Sequence, residues 1–300
     1  MKTLPIPFLG RVDQRQIFKA AVYTLLFINF ILYLMDDLRI VAYTMRNGGD
    51  MLKWLASFTT TIDLTAWFVL LFLFELETWL LSDETQARRG VALTMQAVRV
   101  ICYSFLAHSV YSFGKIYLDL TNAKAVAEVT SLCQLVGSDI SFVRNLEYAD
   151  LTPENCNVLS QASQFFFTEP ALVVSDAAGL AVETLLALAD WAEVVIWLAI
   201  LLTIEVMVRL QDRGRTRGML INTIKSCKVL FYTLLWGIAA YWITLGHYRF
   251  AYDQSLWILG FITIESNMQA WKREIEAAKK EALAQQSPAS DANAVGTLSP

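Results

Sequence analysis

The chain has 300 residues, 56% of them hydrophobic and 17% charged, with a formal net charge of −4. That balance lies outside the soluble globular range and matches a polytopic membrane protein, in which much of the apolar surface faces lipid. The basic residues form no single long block, which sets nucleic-acid binding aside as a main activity.

Residues 1–16 read as a short basic lead that Pro5 and Pro7 keep out of a helix. The apolar run that follows has full membrane length and ends at Met35-Asp36-Asp37 rather than at a small-residue cleavage site. It therefore reads as a retained span and not as a cleavable signal. Asn29 at its middle calls for a partner on a neighbouring helix. Residues 36–60 form an amphipathic segment on the outer side, expected as two short interfacial helices joined by the turn Asn47-Gly48-Gly49-Asp50.

Further apolar runs lie near 64–81, 100–118, 192–207, 229–245 and 256–264, the last with polar extensions, which makes six spans in all. The expected divisions are a lead at 1–16, spans one to three within 17–118, a periplasmic insertion at 119–186, spans four to six within 187–267, a charged cytoplasmic helix at 268–284 and a disordered tail at 285–300. Lys and Arg stay on the cytoplasmic side of a membrane, and an inside N-terminus collects 17 of the 24 basic residues there. Both termini are then cytoplasmic, in a bacterial-type inner membrane. Trp54, Trp79, Trp191 and Trp271 sit at span ends, as interfacial anchors do.

The insertion holds nine acidic residues against Lys124 and Arg144, and it contains Cys133 and Cys156. In an oxidising compartment those two are expected to form a disulfide, and the loop as a whole is expected to be partly helical. Cys102 and Cys227 fall within or beside spans and read as small buried residues.

The spans share a pattern. Each outward helix opens with a basic residue followed at four by tyrosine and a hydroxyl residue: Lys19 with Tyr23, Arg99 with Tyr103, Lys228 with Tyr232. Each returning helix ends on a glutamate, with Thr203-Ile204-Glu205 repeated as Thr263-Ile264-Glu265 and more loosely as Glu75-Leu76-Glu77. Trp197 and Trp257 each stand eight residues before their glutamate, and the separations Glu77 to Gly90 and Glu205 to Gly218 are both 13. The fold class expected from this is all-α: six transmembrane helices arranged as three related helical hairpins about a pseudo-threefold axis along the membrane normal. The outline is similar to that of the mitochondrial carriers. Their repeat needs a proline at the hairpin helix ends, however, and no span here contains one.

Charge inside a bilayer costs about 2.5–3.5 kcal/mol per residue at mid-depth, so such groups turn inward and pair. Glu77, Glu205 and Glu265 are expected beside Lys19, Arg99 and Lys228 at one inner level, with Tyr23, Tyr103 and Tyr232 in the same layer and Glu75 breaking the symmetry. One reading makes this a gating ring for a small ion in a channel or transporter. The other makes the pairs structural clasps in a non-transporting scaffold or assembly factor that binds a membrane or periplasmic partner through its loop or its C-terminal helix. A homo-oligomer is compatible with either.

No catalytic, metal or cofactor site is expected. His108 and His247 differ in depth, which argues against a bis-histidine haem, and His108 reads as a hydrogen-bonding group toward a neighbouring helix. Cys-x-x-Cys, phosphate-loop, His-Glu-x-x-His and Gly-x-Ser-x-Gly patterns do not occur.

Overall fold

The computed structural model describes residues 3–6, 10–76, 81, 85, 88–170, 172–212 and 218–262. Strands β1 (Thr3–Ile6) and β2 (Gly10–Asp13) pair antiparallel, so the lead that proline keeps out of a helix becomes a hairpin. Helices α1 (Gln14–Thr44), α2 (Met51–Ser57), α3 (Thr59–Glu75) and α4 (Arg89–Thr121) follow. Next come β3 (Ser141–Arg144), β4 (Glu147–Asp150), the one-turn α5 (Cys156–Leu159), β5 (Phe165–Glu169) and β6 (Val173–Asp176). Helices α6 (Ala177–Asp212) and α7 (Met219–Thr244) return to the bundle, and α8, the last helix of the described residues, covers 248–262.

Among the described residues four helices are long and apolar enough to cross a membrane, and five if the bent pair α2–α3 counts as one span. The chain is thus mainly helical with a membrane-protein character, while the expected sixth span runs from α8 into residues 263 onward, outside the described residues. The amphipathic segment also differs from expectation. Its first half is the continuation of α1 to Thr44, and only its second half is a separate short helix, after a turn in which Gly48 takes φ +72°.

The chain divides into two compact units, one formed by residues 1–26 with 252–300 and the other by residues 27–251. In the first, the α1 residues Val22 and Leu26 and the α8 residues Gln254, Leu256, Trp257 and Ile258 are buried. Gly260 approaches Val22 closely enough that an added Cβ would sit 3.7 Å from its methyl group.

In the second unit α3 packs on α4, α4 on α6 and α6 on α7. Lipid tails are as apolar as leucine, so helix association in a bilayer depends on close packing more than on the hydrophobic effect. The contact face of α4 meets that need with small residues, as Cys102, Ser109, Ser112 and Gly114 are all buried. At Gly114 a Cβ would stand 2.9 Å from the indole nitrogen of Trp191, whose ring stacks on Tyr117.

Between α4 and α6 lies the insertion, which beside its short helical segments Leu132–Leu135 and Cys156–Leu159 holds a sheet not expected from the sequence. Strands form a mixed sheet in the order β4-β3-β6-β5, with β3 and β6 parallel and the outer pairs antiparallel. Leu132, Leu135, Phe142, Leu151, Phe165 and Val174 make its core around the disulfide Cys133–Cys156, which forms as expected. A domain of about 55 residues has little interior, and a covalent staple offsets that.

The fourth span also begins earlier than its apolar run suggests. β6 passes directly into α6, where the Asp176 carboxylate accepts from the Gly179 amide at 2.7 Å and caps the helix. At 36 residues α6 is about 54 Å long, well beyond the 30 Å hydrocarbon layer, so it can rise out of lipid to carry the sheet.

Candidate functional site

Two layers of polar side chains occur in the helical bundle of residues 27–251, one at each end. The layer expected from sequence lies at the end away from the disulfide. Here Glu205 accepts a hydrogen bond from the Tyr103 hydroxyl at 2.8 Å and pairs with Arg209, one turn along its own helix, at 3.1 Å. Arg99, expected in the same layer, acts electrostatically on Tyr103. Tyrosine on α4 reaches across the helix pair at the depth of the glutamate, and an i,i+4 arginine needs no crossing.

Of the other expected members, Glu75 closes α3 and is half-buried, and Lys228 and Tyr232 lie on α7. Lys19 and Tyr23 belong to the first unit. Glu77 and Glu265 lie outside the described residues. Trp67 of α3 and Trp197 of α6 meet edge to face at 6.0 Å. Glu75 follows Trp67 by eight residues, as Glu205 follows Trp197.

Above that layer the bundle is aromatic. Trp197 also meets Tyr232 of α7 at 6.5 Å, its indole donates to Glu193 at 3.3 Å, and Ile200 and Leu235 beside it are fully buried. The chain Trp67–Trp197–Tyr232 therefore links α3, α6 and α7 at mid-depth.

The second layer, at the disulfide-bearing end, was not singled out from sequence. Asp37 of α1 accepts from both the amide and the hydroxyl of Thr61 on α3, at 3.1 and 2.7 Å. Asp63 hydrogen-bonds Ser109 of α4 and the Trp67 indole. Arg249 pairs with Asp36 and lies over the Tyr33 and Phe250 rings, at 5.1 and 5.6 Å. His108, expected to reach a neighbouring helix, instead meets Ser112 on its own helix at 3.2 Å.

The sheet is fastened to this layer at several points. Arg144 faces Glu147 across the β3–β4 ladder, which leaves Asn145 and Leu146 as a two-residue turn with φ of 56° and 62°. Positive φ at both positions defines the type I′ hairpin, whose twist matches the strands it joins. Asparagine tolerates this region well and leucine poorly.

The tip of that turn is bonded on three sides. The Leu146 amide donates to Glu183 of α6 at 3.1 Å, the Asn145 side-chain amide donates to the Leu245 carbonyl at 3.1 Å, and Asn145 Oδ1 meets His247 Nε2 at 2.9 Å. Elsewhere Arg46, at the end of α1, binds the Asp139 carbonyl and the Asp150 carboxylate. Tyr43 stacks on Tyr148 at 5.3 Å, and Lys53 of α2 pairs with Glu169 of β5 at 3.1 Å.

These contacts set the local proton affinities. Burial pushes His247 below its ordinary range, with Glu147 opposing, so the imidazole is neutral near pH 7. The Arg46 guanidinium holds Asp150 below the usual carboxylate range, and burial raises the Tyr148 phenol. Among the described residues no group of three His, Cys, Asp or Glu is placed to hold a metal ion.

No protein-family model, curated protein or solved structure matches the chain. Function must therefore be argued from the residues alone. Chemically, both polar layers consist of groups that bond one another within a helix, as Arg209 and Glu205 do, or across a helix pair, as Tyr103 and Glu205 do. Sequence reasoning missed the second layer because Asp36, Asp37 and Asp63 fall at the edges of apolar runs, where acids are ordinary.

Proposed function

We propose that this chain is a non-transporting membrane scaffold of a bacterial inner membrane, holding a disulfide-stapled domain rigidly on a helical bundle for a protein partner. In this reading the domain faces the oxidising side, where a disulfide persists, and both termini are cytoplasmic with six spans. The observation that carries it is the aromatic packing at mid-depth. A conducting bundle needs a polar, hydrated route along its axis, whereas the Trp67–Trp197–Tyr232 chain and the buried Ile200 and Leu235 occupy the bundle at mid-depth.

The mounting of the domain supports the same reading. Contacts from α1, α2, α6 and the turn after α7 converge on one small sheet, more fixation than a passive connecting loop needs. The experiment is to reconstitute the purified protein in liposomes and measure sodium, potassium, chloride and proton flux against protein-free vesicles. Silence for all four is expected, and flux of any one above the control would return the polar layers to an ion pathway.

A further inference from the structure

We infer that α2 is a membrane-surface foot: Met51, Leu52 and Trp54 rest in the boundary between headgroups and acyl chains while the opposite face of the helix grips the disulfide-stapled domain. The first support is direction. The axis of α2 is bent 71° from that of α3, so with α3 crossing the bilayer α2 lies close to the membrane plane. Helix α3 has 17 residues of its own, within the range that spans the hydrocarbon layer, so α2 is not required for the crossing.

The second support is the division of faces. Met51, Leu52 and Trp54 are 80%, 71% and 47% exposed, large values for such side chains. Met51 and Trp54 are three residues apart and share one side of the helix, with Leu52 flanking. Lys53 points the other way and pairs with Glu169 on β5, while the Asp50 carboxylate accepts from the Lys53 amide at 2.8 Å and caps the helix. Trp54 stacks flat on Phe58 at 5.8 Å. The roll of the helix is therefore fixed, apolar side away from the sheet.

The third support is what the exposed face adjoins. Leu38 near the end of α1 and Leu118 near the end of α4 are 54% and 58% exposed, so exposed apolar side chains of the spans reach the disulfide-bearing end of the bundle. Trp favours that boundary, and a short amphipathic helix lies in it. Three side chains present at most roughly 500 Å². A stable protein interface takes about 800 Å² per partner, so lipid is the occupant that fits the patch. A foot of this kind fixes the height of β5 above the bilayer through the Lys53–Glu169 pair.

The inference rests on the membrane reading and not on the scaffold assignment. The test places nitroxide labels one at a time through Met51→Cys, Leu52→Cys, Lys53→Cys and Ile28→Cys, in the full chain carrying Cys102→Ser and Cys227→Ser, in nanodiscs of pure phospholipid. Collisions with oxygen relative to a water-soluble nickel chelate report depth. Ile28, 52% exposed on α1, is the hydrocarbon reference. The expected result is an oxygen-to-nickel ratio several-fold higher at 51 and 52 than at 53, with 28 reading as hydrocarbon. If 28 reads as hydrocarbon while 51 and 52 match 53, α2 is in water and the foot is overturned with the membrane reading intact. Labels at 51 and 52 shielded from both reagents would overturn it in favour of a second copy of the chain, and water at 28 would remove the membrane reading itself.

Discussion

Replacing Asn145 separates two contributions that the hairpin tip combines. Asn145→Gly removes the bonds to the Leu245 carbonyl and to His247, each worth about 1 kcal/mol, so a loss of about 2 kcal/mol is expected. Asn145→Ala removes the same bonds and, unlike the glycine variant, keeps a Cβ at φ 56°, in the left-handed region, without the polar side chain that lets asparagine tolerate it. That conformation costs an L-residue about 1–2 kcal/mol, part of which is offset because glycine loses more chain entropy on folding. Alanine should thus be the costlier change by about 0.5–1 kcal/mol, reversing the usual order of these residues. Equilibrium unfolding in one detergent gives both values. Hydrogen exchange at the Leu146 amide, which donates to Glu183, shows whether the tip has detached. Equal stability of the two variants, or a glycine variant weaker than the alanine one, would refute the positive-φ turn and the docking built on it.

Other outcomes follow from the same contacts. Replacing Cys133 and Cys156 together by serine opens a loop closed across 23 residues, and the chain-entropy relation puts the loss at about 3.4 kcal/mol, read as earlier unfolding of the sheet domain with the helical signal retained. Gly114→Leu drives a side chain into Trp191, and overpacking of about 1–3 kcal/mol should appear as a lower melting temperature together with a changed Trp191–Tyr117 near-ultraviolet signal. His247 has a folded-state pKa depressed by burial, so the unfolded chain binds more protons, and stability should fall as pH drops below about 6.5, the ordinary histidine value. His247→Gln should flatten that part of the profile. Asp150 is held low by Arg46, so its small contribution is present above its ordinary value near 3.8 and is lost only as pH falls below it.

Residue spacing made some of this legible and hid the rest. Long apolar runs announced the membrane helices because a span admits few alternatives, and Cys133 with Cys156 announced a staple because both fall in one acidic loop. The sheet was hidden by its shortness: strands of four and five residues give periodicity little room. Its hairpin was hidden by Leu146, where the familiar turn carries glycine. The start of α6 at Ala177 was invisible to an apolar-run criterion, since Glu183 and Asp190 interrupt hydropathy without interrupting the helix. Partner choice was least readable, because an outward helix that begins with a basic residue obeys the orientation rule whether or not that residue meets the glutamate. Tyr103, expected in the same layer, supplies a bond to Glu205.

The claim on which the account turns is that intramembrane polar groups here hold helices together and conduct nothing. Glu205→Gln tests it most directly, because the change keeps side-chain volume while removing the charge that Tyr103 and Arg209 share. Unfolding and ion flux should be measured on the same proteoliposome preparation. The account predicts a stability loss of about 1.5–3 kcal/mol, the range for hydrogen bonds to a charged group, with flux at the protein-free level for both chains. A variant as stable as the original whose ion flux differs from it would contradict the clasp and restore Glu205 to an ion pathway.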